Sequence, residues 1–325
     1  MSVTGTDVEH RSYTAAGRMP WKLLQMKEYA ISSAGLIRPI HIQLIPTNRC
    51  NGNCPWCSCR DVDKSLQLPR QEISNMLGFF AQRGTKAITI TGGGEPTLHP
   101  DLLSICANCY DFGIKIGLVT NGKKWAKDGV DPDFNEFLLW VRISTMETQH
   151  DVGQVDWLRG ICEFLPAVAL GVSFTVDTDV CVDLAREVCK LAAKQENLTH
   201  IRFVQNILDP DKSPMKAVQD ACEPLTSKAI FQYRSVFTTG AKRCLISRLK
   251  PMIDASGLVY PCCGVQYAGT DSEMRKMPER FSMGHWTEYD HMEPFDGSIC
   301  AKCYYSDYNA ILDGLTTPLE HRFHV

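Results

Sequence analysis

The sequence predicts an α/β fold: a parallel sheet curled into a partial (β/α)6, TIM-like barrel, followed by a small C-terminal domain. Three observations point there. Six short β-branched or aliphatic runs lie between residues 41 and 205, the pattern of buried parallel strands. Helical patterns separate them, and strands joined through helices lie parallel with right-handed crossovers. Six such units curl part of the way toward the full eight of a closed barrel. After residue 206 the alternation stops, and residues 241–325 are richer in glycine, proline and aromatic residues.

Taken in order, residues 1–40 read as an N-terminal extension with one helix in WKLLQMKEYAISSAG. The strand runs are 41–45, 86–91, 114–120, 139–144, 167–174 and 200–205. Between the first two, Ile73, Met76, Leu77 and Phe80 follow i, i+3, i+4, i+7 spacing, with Gly84 as the stop. Later, Val180, Leu184, Val188 and Leu191 share one helical face. Pro69 and Pro100 stand where helices start. Residues 206–240 look like a connector with one helix. The expected division is an extension (1–40), a core (41–235) and a C-terminal domain (236–325).

The chain of 325 residues is 44% hydrophobic and 22% charged, enough for a sizeable core. A net charge of −3 supplies no field that favours nucleic acid. No run of eighteen apolar residues suggests a membrane span. The N-terminus MSVTGTDVEHRSYTAAGRMP has no apolar signal core, so a cytoplasmic location is expected. Thiols stay reduced there, which makes fifteen cysteines the unusual count. Clustered cysteines in a reducing compartment more often mean metal or catalysis than disulfides. Cys106, Cys109, Cys162, Cys181, Cys189 and Cys222 lie in apolar periodic segments and are expected to pack as small hydrophobes.

The first strand runs into PTNRCNGNCPWCSC, where Cys50, Cys54 and Cys57 have C-x3-C-x2-C spacing. Three cysteines on one short loop can wrap three irons of a 4Fe–4S cube and leave the fourth iron to a small-molecule chelator. A zinc site with Cys59 as fourth ligand is the alternative. In this loop the chain resembles the radical S-adenosylmethionine (SAM) superfamily, with Trp56 where that family commonly carries an aromatic residue. The resemblance implies that SAM binds the open iron through its amino and carboxylate groups. An electron from the reduced cluster then breaks the sulfonium bond, and a 5′-deoxyadenosyl radical takes a hydrogen atom from the substrate. It also implies an external one-electron reductant such as flavodoxin or ferredoxin. The protein's work is to position the cofactors and exclude water. Cys59 is then a bystander.

Further motifs follow at the carboxyl ends of the next strands, where barrel chemistry gathers. In TGGGEPTLHP, Gly93, Gly94 and Glu95 resemble the family's Gly-Gly-Glu segment. Glycines permit close backbone approach, and the resemblance has Glu95 and nearby carbonyls accepting from the SAM ammonium. In VTNG, Thr120 and Asn121 resemble a pair near the cofactor, although Asn-Gly is also a common turn. In RISTME, Ser144 matches a position that contacts the SAM carboxylate or ribose, while Arg142 points into the barrel.

The second cysteine set reads C-x12-G-x4-C from Cys244 through Gly257 to Cys262, followed by Cys300-Ala-Lys-Cys303. This resembles the Twitch and SPASM extensions of radical SAM enzymes. ASGLVYPCC looks like their hairpin, with Gly257 in the turn. The resemblance implies one auxiliary 4Fe–4S cluster on Cys244, Cys262, Cys300 and Cys303, making residues 236–325 an auxiliary cluster domain. A zinc ribbon is the alternative. Cys263 falls on the opposite side of a strand from Cys262. It is the candidate hydrogen-atom donor, the role a thiol plays in some related epimerases, with plain packing as the alternative. Lys242, Arg243, Arg248 and Lys250 form either a solvated face or a recognition site for an anionic group. The cysteine spacing is similar to that of an aminocyclitol dehydrogenase. The expected substrate is therefore a small polar molecule (a sugar, aminocyclitol or nucleoside), dehydrogenated as its radical gives an electron to the auxiliary cluster. Epimerisation or isomerisation, nucleotide or nucleobase modification and peptide maturation are the enzymatic alternatives. A cluster-binding structural or regulatory protein is the non-enzymatic one.

Overall fold

The structure is a computed structural model, and it describes residues 24–32, 36–145, 154–206, 211, 213–233, 239–269, 275–303 and 305–317. A short helix, Lys27–Ala30, falls in the stretch where the first helix is predicted; the remainder of the extension, residues 1–23 and 33–35, lies outside the described residues.

The ten strands form one sheet: β1 (His41–Leu44), β2 (Ala87–Ile90), β3 (Lys115–Thr120), β4 (Leu138–Ser144), β5 (Ala169–Val176), β6 (Leu198–Gln205), β7 (Ala229–Gln232), β8 (Met252–Ile253), β9 (Leu258–Tyr260) and β10 (Gly284–His285). Their spatial order is β10-β9-β8-β1-β2-β3-β4-β5-β6-β7. From β1 to β7 every neighbour pair is parallel and in chain order. Parallel neighbours added always on the same side, through right-handed crossovers, put their helices on one face. The longer helices among the described residues are α1 (Arg70–Gln82), α2 (Leu102–Asp111), α3 (Lys123–Asp128), α4 (Gln154–Phe164), α5 (Val182–Lys194), α6 (Ser213–Cys222) and α7 (Ser306–Thr316).

The core shows the same one-sidedness. Ile73, Met76, Leu77 and Phe80 of α1 are fully buried, as their spacing predicts. They share one cluster with Ile42 and Leu44, Ile88 and Ile90, Ile116 and Leu118, Val141 and Ile143, and Val172 and Phe174. These are alternate residues of successive strands, hence one face of the sheet. On that face Phe174, Phe203 and Phe231 stand in register across β5, β6 and β7, with ring centroids 5.1 and 5.3 Å apart. The other face, the inside of the curved sheet, carries His41, Gln43, Thr89, Trp140, Arg142, Ser144, Ser173, His200 and Arg202. Two glycines there make room for large rings. A Cβ on Gly117 would stand 2.1 Å from the Trp140 ring, and one on Gly171 would stand 2.4 Å from the His200 ring.

The six predicted strands are all present, and α/β architecture with a mostly parallel sheet is as expected. The differences lie beyond residue 206. The supposed connector holds a further unit, α6 and β7, and β7 pairs parallel with β6. Its four residues AIFQ are too short a run to stand out from their flanks. The sheet also continues into the C-terminal segment. β8 pairs parallel with β1, and β9 and β10 add antiparallel strands. Val180 precedes α5 rather than lying on it; Cys181 occupies the N-cap, its sulfur accepting from the Leu184 amide.

Five of the cysteines expected to pack do so: Cys106, Cys109, Cys162, Cys189 and Cys222 are buried, whereas Cys181 is only partly buried. Cys59 is buried too, 3% exposed. Removal from water pushes its thiol up to about 12, so it remains a neutral packing group.

Candidate cofactor and substrate site

The first cysteine loop leaves the carboxyl end of β1. Pro46 and Leu68 are joined by a backbone bond of 3.0 Å and Asn48 and Leu66 by one of 2.9 Å. The loop from 49 to 65 is therefore closed at its neck like a purse. Within it Cys50 is exposed and Cys54 and Cys57 are partly buried, with Trp56 partly buried between them. None of the three is in a disulfide. The Gly52 amide points at the Cys50 sulfur (3.3 Å), and the Cys59 amide points at the Cys57 sulfur (3.4 Å). Amides aimed at sulfur stabilise thiolate, the form that binds iron. Although the residue is exposed, surrounding protein partly desolvates its sulfur and pushes the Cys50 thiol up; the Gly52 amide opposes the rise, Glu95 and Cys57 add to it, and Lys64 opposes it.

The glycine segment after β2 packs against this loop. A Cβ on Gly94 would lie 2.1 Å from the Arg49 carbonyl, and one on Gly93 would lie 2.2 Å from Asn48 Oδ1. In the folded chain these glycines let β2's outgoing backbone touch the cysteine loop. The Glu95 amide donates to the Arg49 carbonyl (2.7 Å), and Lys64 Nζ bridges the carbonyls of Cys59 (2.6 Å) and Gly93 (3.3 Å).

Glu95 is 2% exposed. Its Oε1 accepts from the Thr97 amide (3.0 Å), the Thr97 hydroxyl (2.7 Å) and the Thr120 hydroxyl (2.6 Å); Oε2 accepts from the Asn121 amide (2.7 Å). Burial pushes its carboxyl up, and these donors pull it back. Asn121 Nδ2 then donates to Asn51 Oδ1 (2.8 Å) on the cysteine loop. The structure thus brings Cys50, Glu95, Thr120 and Asn121 into one network at the ends of β1, β2 and β3. Ser144 closes β4 and stands beside Ser173 of β5 on the inner face.

Asn48 and Lys64, which the motif reading passed over, belong to this network. Asn48 Oδ1 is buried without a hydrogen-bond partner among the described residues. Buried polar atoms are rarely left so. An orphan acceptor beside three thiols and a locked carboxylate fits a site that takes a cluster and a ligand bearing donors. Lys64 and Asn48 carry no spacing signal of their own; only the closed neck of the loop reveals them.

The second cysteine set also converges. Cys244, Cys262, Cys300 and Cys303 line one cavity together with Gly264, Tyr305 and Asn309. The Gly264 amide points at the Cys262 sulfur (3.3 Å) and the Tyr305 amide at the Cys303 sulfur (3.4 Å). Burial pushes Cys244 up to about 11 and Cys300 up to about 12, and neighbouring thiols push the same way. Among the described residues, no three His, Cys, Asp or Glu side chains converge as a single metal ion requires. Cys263 does not line this cavity; its sulfur lies 3.5 Å from the Tyr305 hydroxyl. Ser58, between Cys57 and Cys59, donates to Gln266 (2.7 Å), so the two thiol-bearing segments touch.

The two arginines of the basic cluster around Cys244 have partners within the fold. Arg248 lies over the Tyr289 ring at 4.1 Å and donates to the Tyr289 and Met292 carbonyls. Arg243 lies 3.6 Å from the Asp313 carboxylate.

Residues 44–131, which contain the first cysteine loop and the glycine segment, match the family profile of the Radical SAM superfamily. This stretch is a radical SAM segment, and that family's cofactors are a 4Fe–4S cluster and S-adenosylmethionine. It is similar to the GTP 3′,8-cyclase of Haemophilus influenzae (strain PittEE), 35% identical over 97 residues that cover 28% of each protein. It is also similar to the PqqA peptide cyclase of Methylorubrum extorquens (strain PA1), 26% identical over 201 residues that cover 54% of this chain and 51% of that protein. The chain thus spans between about a quarter and a half of these relatives. Among solved structures, Streptococcus suis SuiB bound to its precursor peptide SuiA has a TM-score of 0.55 at 14% identity, over 77% of this chain and 64% of that one. The anSMEcpe structure with bound AdoMet and the Kp18Cys peptide has a TM-score of 0.51 at 15% identity, over 86% and 84%. At these identities the likeness is one of fold. No described helix is long and apolar enough to cross a membrane.

Proposed function

We propose that this radical SAM enzyme reductively cleaves S-adenosylmethionine and removes a hydrogen atom from a small polar substrate held against the inner face of the sheet, most simply as the first half of a dehydrogenation. The observation that carries the reading is the loop at the end of β1: three cysteines outside any disulfide, two of them met by backbone amides, on a loop tied to a buried Glu95 through Asn121 and Asn51. In this reading Cys50, Cys54 and Cys57 hold the SAM-binding cluster. When bound, that cluster supplies the electron that turns S-adenosylmethionine into a hydrogen-abstracting radical.

The chain's own residues shape the pocket. Gly93, Gly94 and Glu95 set the floor where the SAM amino group sits, and Asn48 Oδ1 offers it an acceptor. Thr120 and Asn121 hold Glu95, and Ser144 faces the SAM carboxylate or ribose. Residues 236–325 would act as the auxiliary cluster domain: Cys244, Cys262, Cys300 and Cys303 would hold a second 4Fe–4S cluster, which would supply a one-electron acceptor. Cys263 is the thiol that would return a hydrogen atom if the reaction is instead an epimerisation, and Tyr305 is then its neighbour. A flavodoxin- or ferredoxin-type protein supplies electrons, in a cytoplasm that keeps the fifteen cysteines reduced.

A second reading has support of its own. One relative is a peptide cyclase, and two of the structures similar in fold hold peptides. Neither curated relative above is a sugar dehydrogenase; the other is a nucleotide cyclase. Peptide maturation is therefore the competing substrate class.

Anaerobically reconstituted protein with dithionite and S-adenosylmethionine should form 5′-deoxyadenosine. Changing Cys50, Cys54 and Cys57 together to alanine should abolish it and halve an iron content of about eight per chain. Stoichiometric zinc with no iron uptake would overturn the reading.

A further inference from the structure

We infer that the inner face of β4 to β7 is built to hold an anionic group of the substrate, a carboxylate or a phosphate, with Arg142 and Arg202 as its cationic donors. This rests on the reading of that face as the place of hydrogen abstraction, and it deepens it by naming what the substrate must carry.

Strand register places the residues. Arg142, Gly171 and His200 are partners across β4, β5 and β6, and Ser144, Ser173 and Arg202 form the next row toward the carboxyl ends. Parallel partners point to the same side of a sheet. Two guanidiniums and two hydroxyls therefore share the inner face, one row apart. Both arginines and both serines are partly buried, so they keep access to the interior. Arg202 is aimed from β7: its Nη2 donates to Gln232 Oε1 at 2.6 Å. A guanidinium is planar and always charged, and its forked N–H groups have the geometry that suits carboxylate and phosphate.

His200 completes the row without adding charge. The Thr199 hydroxyl donates its one hydrogen to the Leu170 carbonyl (2.9 Å), so it accepts from His200 Nδ1 (2.9 Å). That fixes the proton on Nδ1 and leaves Nε2 as an acceptor above Gly171. Burial, then Arg202 and Arg142, push the imidazole down to about 3. Both guanidiniums are thus within electrostatic reach of a single neutral ring. The row offers cationic donors for an anion and, beside them, an acceptor for a hydroxyl or amine of the same substrate.

Calorimetric titration tests this, with S-adenosylmethionine present so that its own carboxylate subsite is filled. The probes are inorganic phosphate, succinate and neutral myo-inositol. Phosphate or succinate should bind saturably to the reconstituted protein, and myo-inositol should not. Preference for phosphate marks a phosphate ester as substrate, and preference for succinate marks a carboxylic acid. Arg142→Gln and Arg202→Gln should each weaken binding by about tenfold or more, and Arg→Lys at either position by less. If a glutamine variant fails to fold by circular dichroism, the lysine variants and Gln232→Ala, which releases Arg202, should still show the loss. Absence of anion binding by the parent protein, or equal binding by the parent and all variants, overturns the inference. 5′-Deoxyadenosine formation separates the two failures. If it persists while no anion binds, this inference falls alone. If it is absent while the anions bind as described, the proposed reaction falls and the anion site stands.

Discussion

Glu95 is a keystone by virtue of what it accepts rather than its charge alone. Four donors from three residues converge on its carboxylate. Deleting it leaves buried donors without an acceptor, and each such loss costs about 1–3 kcal/mol. Glu95→Ala should therefore lower unfolding free energy by about 3 kcal/mol as well as weaken SAM binding. Urea titration beside a SAM-binding isotherm checks both. Unchanged stability would mean that the carboxylate does not tie β2 to β3. His200 offers a second test at this scale. Its imidazole is held well below the ordinary 6.5, at about 3, by burial and by Arg202 and Arg142. The unfolded chain takes up a proton near 6.5 and the native chain does not. The stability linked to His200 is therefore fully present above that pH and is lost as pH falls toward 3. The stability difference between the parent and His200→Gln should shrink by about 1 kcal/mol between pH 7 and pH 5.5. A pH-independent difference would show that the ring is not enclosed with two cations. The arginines and His200 were not legible as a group in the sequence. LWVRIS and HIRFVQ read as apolar runs with a stray charge, and only strand register sets Arg142 and Arg202 on adjoining strands.

Elements beyond the barrel hold the second thiol set. Asn309 of α7 is 5% exposed. Its Oδ1 accepts from the Leu245 and Ile246 amides (2.5 and 3.4 Å), and its Nδ2 donates to the Arg243 carbonyl (2.8 Å). One carboxamide thus pins both sides of Cys244 to a helix that starts just after Cys303. Asn309→Ala should loosen the four-cysteine cavity while leaving the first loop untouched. Iron per chain should drop from about eight toward about four, with 5′-deoxyadenosine formation retained. Full iron content in the variant would mean that Cys244 is positioned without Asn309. The six strands and α1 could be read in advance because their apolar residues recur at the period of the element that buries them. The cysteine spacings were legible because covalent chemistry restricts them. β7 and β8 were not, since four residues and two residues are too few to show a period. They exist because β6 and β1 present edges to be paired.

The molecule as a whole behaves as one sheet with one main core, and that makes a strong statement about its unfolding. β8 satisfies the outer edge of β1: the Gln43 amide donates to the Pro251 carbonyl and the Ile45 amide to the Ile253 carbonyl, each at 2.9 Å. Ile253, Val259, Trp286 and Tyr289 belong to the same cluster as the residues of α1. Tyr289 is the centre of this junction. Its ring meets Phe80 of α1 edge-on at 5.0 Å, and its hydroxyl donates to the Arg248 carbonyl at 2.9 Å. Arg248 covers its other side, and Arg83, the C-cap of α1, pairs with the adjacent Asp290. If the C-terminal segment were an appendage, its loss of structure would precede that of the barrel. The shared core predicts the opposite: fluorescence and circular dichroism should report one coincident urea transition. Tyr289→Ala removes a fully buried aromatic side chain, a change that costs about 3–5 kcal/mol. It should move the midpoint of both probes together, including the signal of the helices packed on the distant strands β5 and β6. A variant in which an early transition separates from an unmoved main one would show that the cluster-bearing segment folds on its own.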